Sequence, residues 1–520
     1  MSSTAQPEKL TVQTTEGPVT GVSQGATTAW NGVPYATPPV GELRFRRPQP
    51  AAHRDEPLET TTWGPSPMQP PAPETMGGVG DHGVTDEDCL TLNIVRPAGD
   101  ATDLPVMVWI YGGAFTVGAS RNYDGRHLAA RGDVVVVTVN YRVGPWGFLD
   151  LSSLSTPEHT FESNTGLHDQ IAALRWVRDN ISAFGGDPTN ITLFGESAGG
   201  SSVLSLMCMP EADGLFHRVI AQSPAVAGTP ASVHAKDAAH LAQIVTGGTG
   251  GTGGTGDAGS SDPAAAAAAL HDMLAEVLLA ASLRLAAETG ATDPGRLIYG
   301  PTVDGESLPA ALLAAFATGR QAQVPLVIGT NASEGLSFLL SAQATGSEIL
   351  PVLPDTMRAT LGESAAADAV FTAYPGFPEP EVSAQAGGDM VFWYPSTVVA
   401  DAHAAVAPTR VYRFDHVSTD PRFGGLGAAH GAEIPFVFGR AAAVLQSEGA
   451  SAEDRDVVFS GQVMDRWLAF ARTGEPGEGW PGYSTDLRRV LVLDGVADGG
   501  CAVEADPQAG RREAWGALYN

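Results

Sequence analysis

The chain alternates short, continuously apolar runs with longer stretches whose apolar residues recur at helical spacing. The runs VMVWIY (106–111), VVVVTVN (134–140), ITLF (191–194), RVIAQS (218–223), VPLVIGT (324–330), VYRFDH (411–416) and VLVL (490–493) are largely β-branched. They are apolar on both faces, as in parallel strands covered on both sides; a half-wet antiparallel strand would alternate. Between them, LHDQIAALRWVRDNISAF (167–184) sets Ile171, Leu174 and Val177 along one stripe of an amphipathic helix. Near the start, LTVQTT (10–15) and GPVTGVS (17–23) read as a hairpin, followed by a Pro-rich loop over 31–50. The alternation predicts a three-layer α/β fold, with a large, mostly parallel central sheet flanked by helices and a short N-terminal antiparallel hairpin.

The Gly/Thr-rich segment TGGTGGTGGTGDAGSSD (246–262) interrupts this pattern and predicts a flexible loop. Asp262 and Pro263 then open an Ala-rich helix, as N-cap and first residue. A domain boundary here is rejected, because the candidate chemistry lies on both sides and must meet; residues 1–520 are expected to form a single domain.

Charge and composition narrow the function classes. A formal net charge of −29 repels nucleic acid, and no basic cluster offsets it. No stretch of about 18 apolar residues predicts a membrane span, and the N-terminus lacks the basic-then-apolar pattern of a secretory signal. Cys89, Cys208 and Cys501 have no metal-ligand spacing and read as small hydrophobes. The expected location is cytoplasmic.

The chemistry concentrates in four segments. LFGESAGGSS (193–202) leaves an apolar strand through G-x-S-x-G into a small-residue helix start, the context of a nucleophile elbow at Ser197. A plain tight turn would also use Gly195 and Gly199. WIYGGAFTVG (109–118) follows another strand with a Gly-rich loop whose N–H groups can face a ligand. With the N–H after the nucleophile, this nominates Gly113, Ala114 and Ala198 as oxyanion donors. GTNASEGLSF (329–338) places Glu334 just beyond a strand end, and GLGAAHGAEIPFVFG (425–439) places His430 in a Gly/Ala loop. Ser197, Glu334 and His430 thus follow successive strands in nucleophile–acid–base order, and open α/β sheets bind ligands at that edge. Asp304 in YGPTVDGESLP is the alternative acid, although it precedes its strand. His168 and Asp169 are expected to belong to helix-start structure.

Longer motifs make the pattern specific: NGVPYATPPVGELRF, EDCLTLNI (87–94), NYRVGPWGFL (140–149), FGGDPTNITLFGESAGG (184–200), GTNASEG and HGAEIPFVFG. From about residue 10 onward the chain resembles the type-B carboxylesterases, the cholinesterase-like α/β-hydrolases, in their bacterial branch. The resemblance implies the α/β-hydrolase fold and a Ser197–Glu334–His430 triad with oxyanion donors Gly113, Ala114 and Ala198. It adds Ser223 as a serine steadying the acid and Glu196 as an acid tuning the base. It implies a small-molecule ester substrate, most simply a short-chain or aryl ester, with no cofactor and no metal; the oligomeric state stays open.

Three departures matter. Many relatives carry a third glycine where this chain has Ala114, and the backbone N–H survives the exchange. Met68 stands where animal relatives have the disulfide partner of Cys89, so Cys89 is expected to be a free thiol. Residues 69–88 contain no aromatic to hold a quaternary ammonium, which argues against choline esters. Pocket walls are expected from Phe115, the helix after Ser197, the 246–290 insertion, Phe392 and Trp393. A carbamate or amide hydrolase on the same machinery, and a non-catalytic cholinesterase-like binding protein, are the rival readings.

Overall fold

The computed structural model describes residues 8–71, 81–226, 228–247, 262–495 and 501–519. Its N-terminal strands are β1 (Glu8–Thr14), β2 (Gly17–Gln24), β3 (Thr27–Pro34), β4 (Leu58–Glu59) and β5 (Thr91–Pro97). Next come β6 (Leu104–Ile110), β7 (Val135–Val139), β8 (Gly186–Glu196) and β9 (Arg218–Gln222). A separate parallel pair, β10 (Thr229–Pro230) and β11 (Thr302–Val303), precedes β12 (Leu326–Asn331), β13 (Thr409–Phe414), β14 (Arg489–Leu493) and β15 (Ala502–Ala505).

Among the described residues, 13 strands form one sheet in the order β1-β2-β3-β5-β7-β6-β8-β9-β12-β13-β14-β15, with β4 on β2. Every apolar run named above lies in one of these strands. Pairing is parallel from β7 through β14. It is antiparallel from β1 to β7 and at β14–β15. The sheet is therefore mixed, and its antiparallel part extends beyond a hairpin. Strand β5 carries that extension. It is buried throughout, yet Asn93 and Arg96 break its apolar pattern. Their polar atoms are satisfied locally: Asn93 bonds Ser120, Thr138 and Gly32, and Arg96 donates to the carbonyls of Pro97, Gly99, Ala101 and Phe184.

Strands β6 and β7 form the driest part of the core; Val106, Val108, Ile110, Val135, Val137 and Val139 are fully buried. Burying each such side chain contributes about 1.5–3 kcal/mol. The amphipathic segment forms a helix, Thr165–Asn180, that buries Ile171, Leu174 and Val177. At its start Asp169 is fully buried and binds Arg142, which follows β7. Its carboxylate accepts from Arg142 N (3.1 Å), Nε (2.8 Å) and Nη2 (2.7 Å), stapling this helix to the sheet. His168 lies beside it, buried, 3.9 Å from Glu211.

The Gly/Thr-rich loop predicted over 246–262 falls, from 248 to 261, outside the described residues. Beyond it Asp262 caps the helix Pro263–Asp272, its side chain accepting from Ala264 N at 3.1 Å. Arg44 Nη1 pins the far end of that helix by donating to the carbonyls of Leu270, His271 and Met273. Cys89, Cys208 and Cys501 are all free, and Met68 lines the same small crevice as Cys89. Among the described residues no helix is long and apolar enough to cross a membrane.

Asp169→Ala leaves the buried Arg142 guanidinium without its carboxylate. Removing one partner of a buried pair should cost ~3–5 kcal/mol. Chemical denaturation followed by circular dichroism checks this; a loss below about 1 kcal/mol, typical of an exposed pair, would refute it.

Candidate active site

Parallel strands deliver their carboxyl ends to one edge of the sheet. Strand β8 ends at Glu196, and the helix Ala198–Met207 begins immediately. Ser197 between them has φ 57° and ψ −121°, a strained conformation for a non-glycine residue that costs roughly 1–3 kcal/mol. Its N–H donates to Gln222 O at 2.9 Å. Its carbonyl accepts from Ser201 N at 2.8 Å and Ser201 Oγ at 3.0 Å. The flanking glycines are required by close approach. A Cβ on Gly199 would stand 2.0 Å from Ile110 O, and one on Gly195 2.6 Å from Gly199 O.

The loop after β6 turns sharply at Gly113 (φ 124°), Ala114 (φ 53°) and Phe115 (φ 58°). Gly113 O accepts from Thr116 N and Val117 N. The N–H groups of Gly113, Ala114 and Ala198 form no hydrogen bond among the described residues, and all three line the same cavity. Ala114 keeps its N–H where a third glycine would sit, at a left-handed cost of about 1–2 kcal/mol. Gln69 buttresses the loop from behind by a reciprocal pair with Gly118, 2.9 and 2.8 Å.

Glu334 follows β12 and is fully buried. Its Oε1 accepts from Ser223 Oγ and Asn331 N, both at 2.6 Å, and its Oε2 lies 2.5 Å from His430 Nδ1. The two loops are joined by Ser333 N donating to Ala428 O at 2.9 Å. With Nδ1 committed to Glu334, Nε2 turns toward the cavity and stands 3.2 Å from Glu196 Oε1. Asp304, the alternative acid, instead closes its own turn: it accepts from Glu306 N, Leu308 N, Asn164 Nδ2 and Ser307 Oγ.

Electrostatics here are set by burial and by carboxylates. Burial opposes an imidazolium, but Glu196, Glu334 and Glu433 outweigh it and push His430 up to about 9. Burial, opposed by His430 and reinforced by Glu433 and Glu334, pushes Glu196 up to about 8. Neutral imidazole therefore demands a higher pH than a free histidine would.

Ser197, His430 and Glu196 all line one cavity of about 1000 Å³. Phe392 and Phe338 flank the imidazole, ring centroids 4.4 and 5.2 Å away, and continue into an apolar wall with Leu297, Ile349 and Leu350. Phe392 belongs to a turn of π-helix, Asp389–Trp393, a feature often found at functional sites. Phe115 also lines the cavity, its ring tilted against Phe148 with centroids 4.5 Å apart.

Two expected walls are corrected. Trp393, the next residue along the helical turn, faces away into a separate crevice and packs among Tyr374, Tyr394 and Trp515. No described residue of the 246–290 insertion lines the cavity. Its helices bury Ala266, Ala267, Leu270, Leu278 and Leu285 in the main core, packing on the helix Ala231–Val245. Arg121–Asp124 and segment 421–427 supply the mouth instead, without a motif that singled them out. Among the described residues no group of three or more His, Cys, Asp or Glu could hold a metal ion.

Comparison with known proteins agrees with this geometry. The profile of the carboxylesterase family matches residues 8–498. A para-nitrobenzyl esterase of Bacillus subtilis (strain 168) is 36% identical over 509 residues, spanning 96% of this chain and 97% of that one. A phenmedipham hydrolase of Pseudarthrobacter oxydans is 33% identical over 504 residues, spanning 95% and 96%. Among solved structures, a PNB esterase superposes with TM-score 0.83 at 35% identity, covering 97% of this chain and 99% of that chain. The chain thus belongs to the carboxylesterase family and is a carboxylic ester hydrolase built on the α/β-hydrolase fold.

Proposed function

We propose that this esterase hydrolyses short-chain and aryl carboxylic esters through an acyl-enzyme, with Ser197 as nucleophile, His430 as base and Glu334 as the acid that orients it. The observation that carries this reading is the Glu334–His430 contact of 2.5 Å at a cavity that also holds Ser197 on its strained elbow. The contact with Nδ1 selects the tautomer that leaves the Nε2 lone pair facing the cavity. As Ser197 Oγ attacks the ester carbonyl, His430 Nε2 takes its proton, and the imidazolium is stabilised by Glu334. The carbonyl oxygen gathers charge beside the N–H groups of Gly113, Ala114 and Ala198, each worth about 3 kcal/mol of barrier. Collapse expels the alcohol, which receives the proton from His430; water repeats the sequence on the acyl-enzyme. Ser223 holds Glu334 through its hydroxyl, and Glu196 sets the proton affinity of His430. The Phe338–Phe392 wall favours apolar or aryl groups.

The chain works as one domain in this reading, because all these residues hang on one sheet. The three free cysteines favour a reducing, cytoplasmic setting. One relative is named for phenmedipham hydrolysis, which motivates a second reading, an aryl carbamate as substrate for the same machinery.

Ser197→Ala should abolish p-nitrophenyl butyrate hydrolysis in a folded protein, and a phosphonylating probe should add its mass at Ser197 in the parent enzyme only. Glu334→Gln should lower kcat by about 10³–10⁴-fold, while Asp304→Asn costs stability rather than turnover. The reverse ranking would move the acid to Asp304. Matched aryl ester and aryl carbamate substrates, compared by kcat/KM, separate the two substrate readings, and the ester should be the faster.

The base works only when neutral, so activity should be lost as pH falls through the raised proton affinity of His430. The acid limb of kcat/KM should lie above the range near 6–7 of an ordinary histidine. Glu196→Gln removes the strongest upward charge and should move the limb to lower pH. A limb centred near 6.5 that ignores this substitution would contradict the carboxylate control of His430.

A further inference from the structure

The HGAEIPFVFG segment carries a second group besides its histidine. Glu433, three residues after His430, is fully buried. It accepts hydrogen bonds from Gln222 Nε2 at 2.9 Å and from Asn331 Nδ2 at 2.7 Å. Gln222 Oε1 in turn accepts from Trp467 Nε1 at 3.0 Å. Asn331 Nδ2 also donates to Ala429 O at 2.7 Å, which fixes the direction of that amide.

The side-chain sequence Trp467–Gln222–Glu433–Asn331 therefore has a donor at both ends. An indole N–H can only donate, and the amide nitrogen of Asn331 is held facing Glu433. A primary amide in such a row accepts on one side and donates on the other, so it passes the direction along. Somewhere the direction must reverse, and only a group that accepts on both sides can do that. An ionised carboxylate qualifies. An amide, or a protonated carboxyl, would leave two buried donors facing each other.

The main chains of the same two amide residues hold the reacting groups. Gln222 O accepts from Ser197 N at 2.9 Å, and Asn331 N donates to Glu334 Oε1 at 2.6 Å. One carboxylate thus fixes the side chains of the residues whose backbones clamp nucleophile and acid, and it sits on the loop of the base.

We propose that Glu433 is a positioning residue: by reversing the hydrogen-bond direction between Trp467 and Asn331 it locks β9, β12 and the His430 loop into one register. The assignment rests on the Ser197–Glu334–His430 reading. Burial raises the Glu433 carboxyl, and the donors Asn331 and Gln222 oppose that rise. The ionisable groups around this cluster are Glu196, Glu334, His430, Tyr123 and Tyr412.

Moving the acceptor one place along the row tests the idea. Glu433→Gln alone creates a donor–donor clash, and Gln222→Glu alone sets two carboxylates face to face. The double variant restores every bond, because the new carboxylate at 222 accepts from Trp467 and from the new amide at 433, whose oxygen accepts from Asn331. The measurements are kcat, KM and pH profile on p-nitrophenyl butyrate, labelling of Ser197 by a phosphonylating probe, and thermal unfolding. Glu433→Gln should lose about 100-fold in kcat, the scale of a displaced reacting group, with KM little changed. Its acid limb should move to lower pH, because a charge facing His430 is gone. The double variant should regain most of the lost kcat.

A double variant no faster than Glu433→Gln, or a Glu433→Gln enzyme with parental kcat and pH profile, overturns the assignment. Should Glu433→Gln fail to fold, the double variant decides alone: folded and active supports the reversal, unfolded or inactive refutes it. The triad reading fails separately, through an active Ser197→Ala enzyme. A labelled Ser197 with an unimpaired Glu433→Gln enzyme sinks only the role of Glu433.

Discussion

The site depends on the parallel register of four neighbouring strands. Ile110 of β6 pairs with Gly195 of β8, Glu196 with Gln222 of β9, and Gly329 of β12 with that same Gln222. Because these strands run the same way, their ends arrive together. The Gly113–Phe115 loop, the Ser197 turn, the Ser223 hydroxyl and the Glu334 loop all emerge within one strip of the sheet edge. His430 comes from the loop after β13, tied to the acid loop by the bridge from Ser333 to Ala429. A one-residue slip in any of these ladders would turn alternate side chains to the opposite face. The dry packing of β6 and β7 makes such a slip costly, so core stability and the alignment of Ser197, Glu334 and His430 are the same property.

A second constraint is electrical. Three buried carboxylates, Glu196, Glu334 and Glu433, surround a single imidazole, and no described cation other than that imidazole makes contact with them. The cluster tolerates this through its hydrogen bonds. Glu334 and Glu433 each receive at least two donors, while Glu196 Oε1 has none. Donors stabilise charge and burial opposes it, and burial, with no donor on Oε1 to offset it, pushes Glu196 up to about 8.

Much of this was legible in the residues. Each β-branched run became a strand, because an interior strand has little choice but to be apolar throughout. Asp262 caps its helix, and Ser197, Glu334 and His430 share one edge of the sheet, as their positions just past strand ends imply. What escaped was tertiary in origin. Strand β5 hides its nature behind Asn93, whose partners lie far along the chain, and Arg96, which bonds both its own chain neighbours and Phe184. Phe392 and Trp393 are aromatic neighbours in the sequence, but successive residues of a helical turn point in different directions, and only Phe392 faces the imidazole. The part played by Gln222, Asn331 and Trp467 depends on which way each amide points, and no spacing rule encodes that. The insertion helices, expected as a pocket wall, spend their Ala- and Leu-rich faces on the core.

The turn of π-helix at Asp389–Trp393 has an evolutionary consequence. Such a turn holds one residue more than the α-helix it interrupts. Deleting a single codon there would restore ordinary pitch while keeping the flanking turns in register, so the change would fall on the bulge itself and take the Phe392 ring off the imidazole. One residue more or fewer in this helix thus decides what packs against His430, so the surroundings of the imidazole can be retuned by length rather than by substitution.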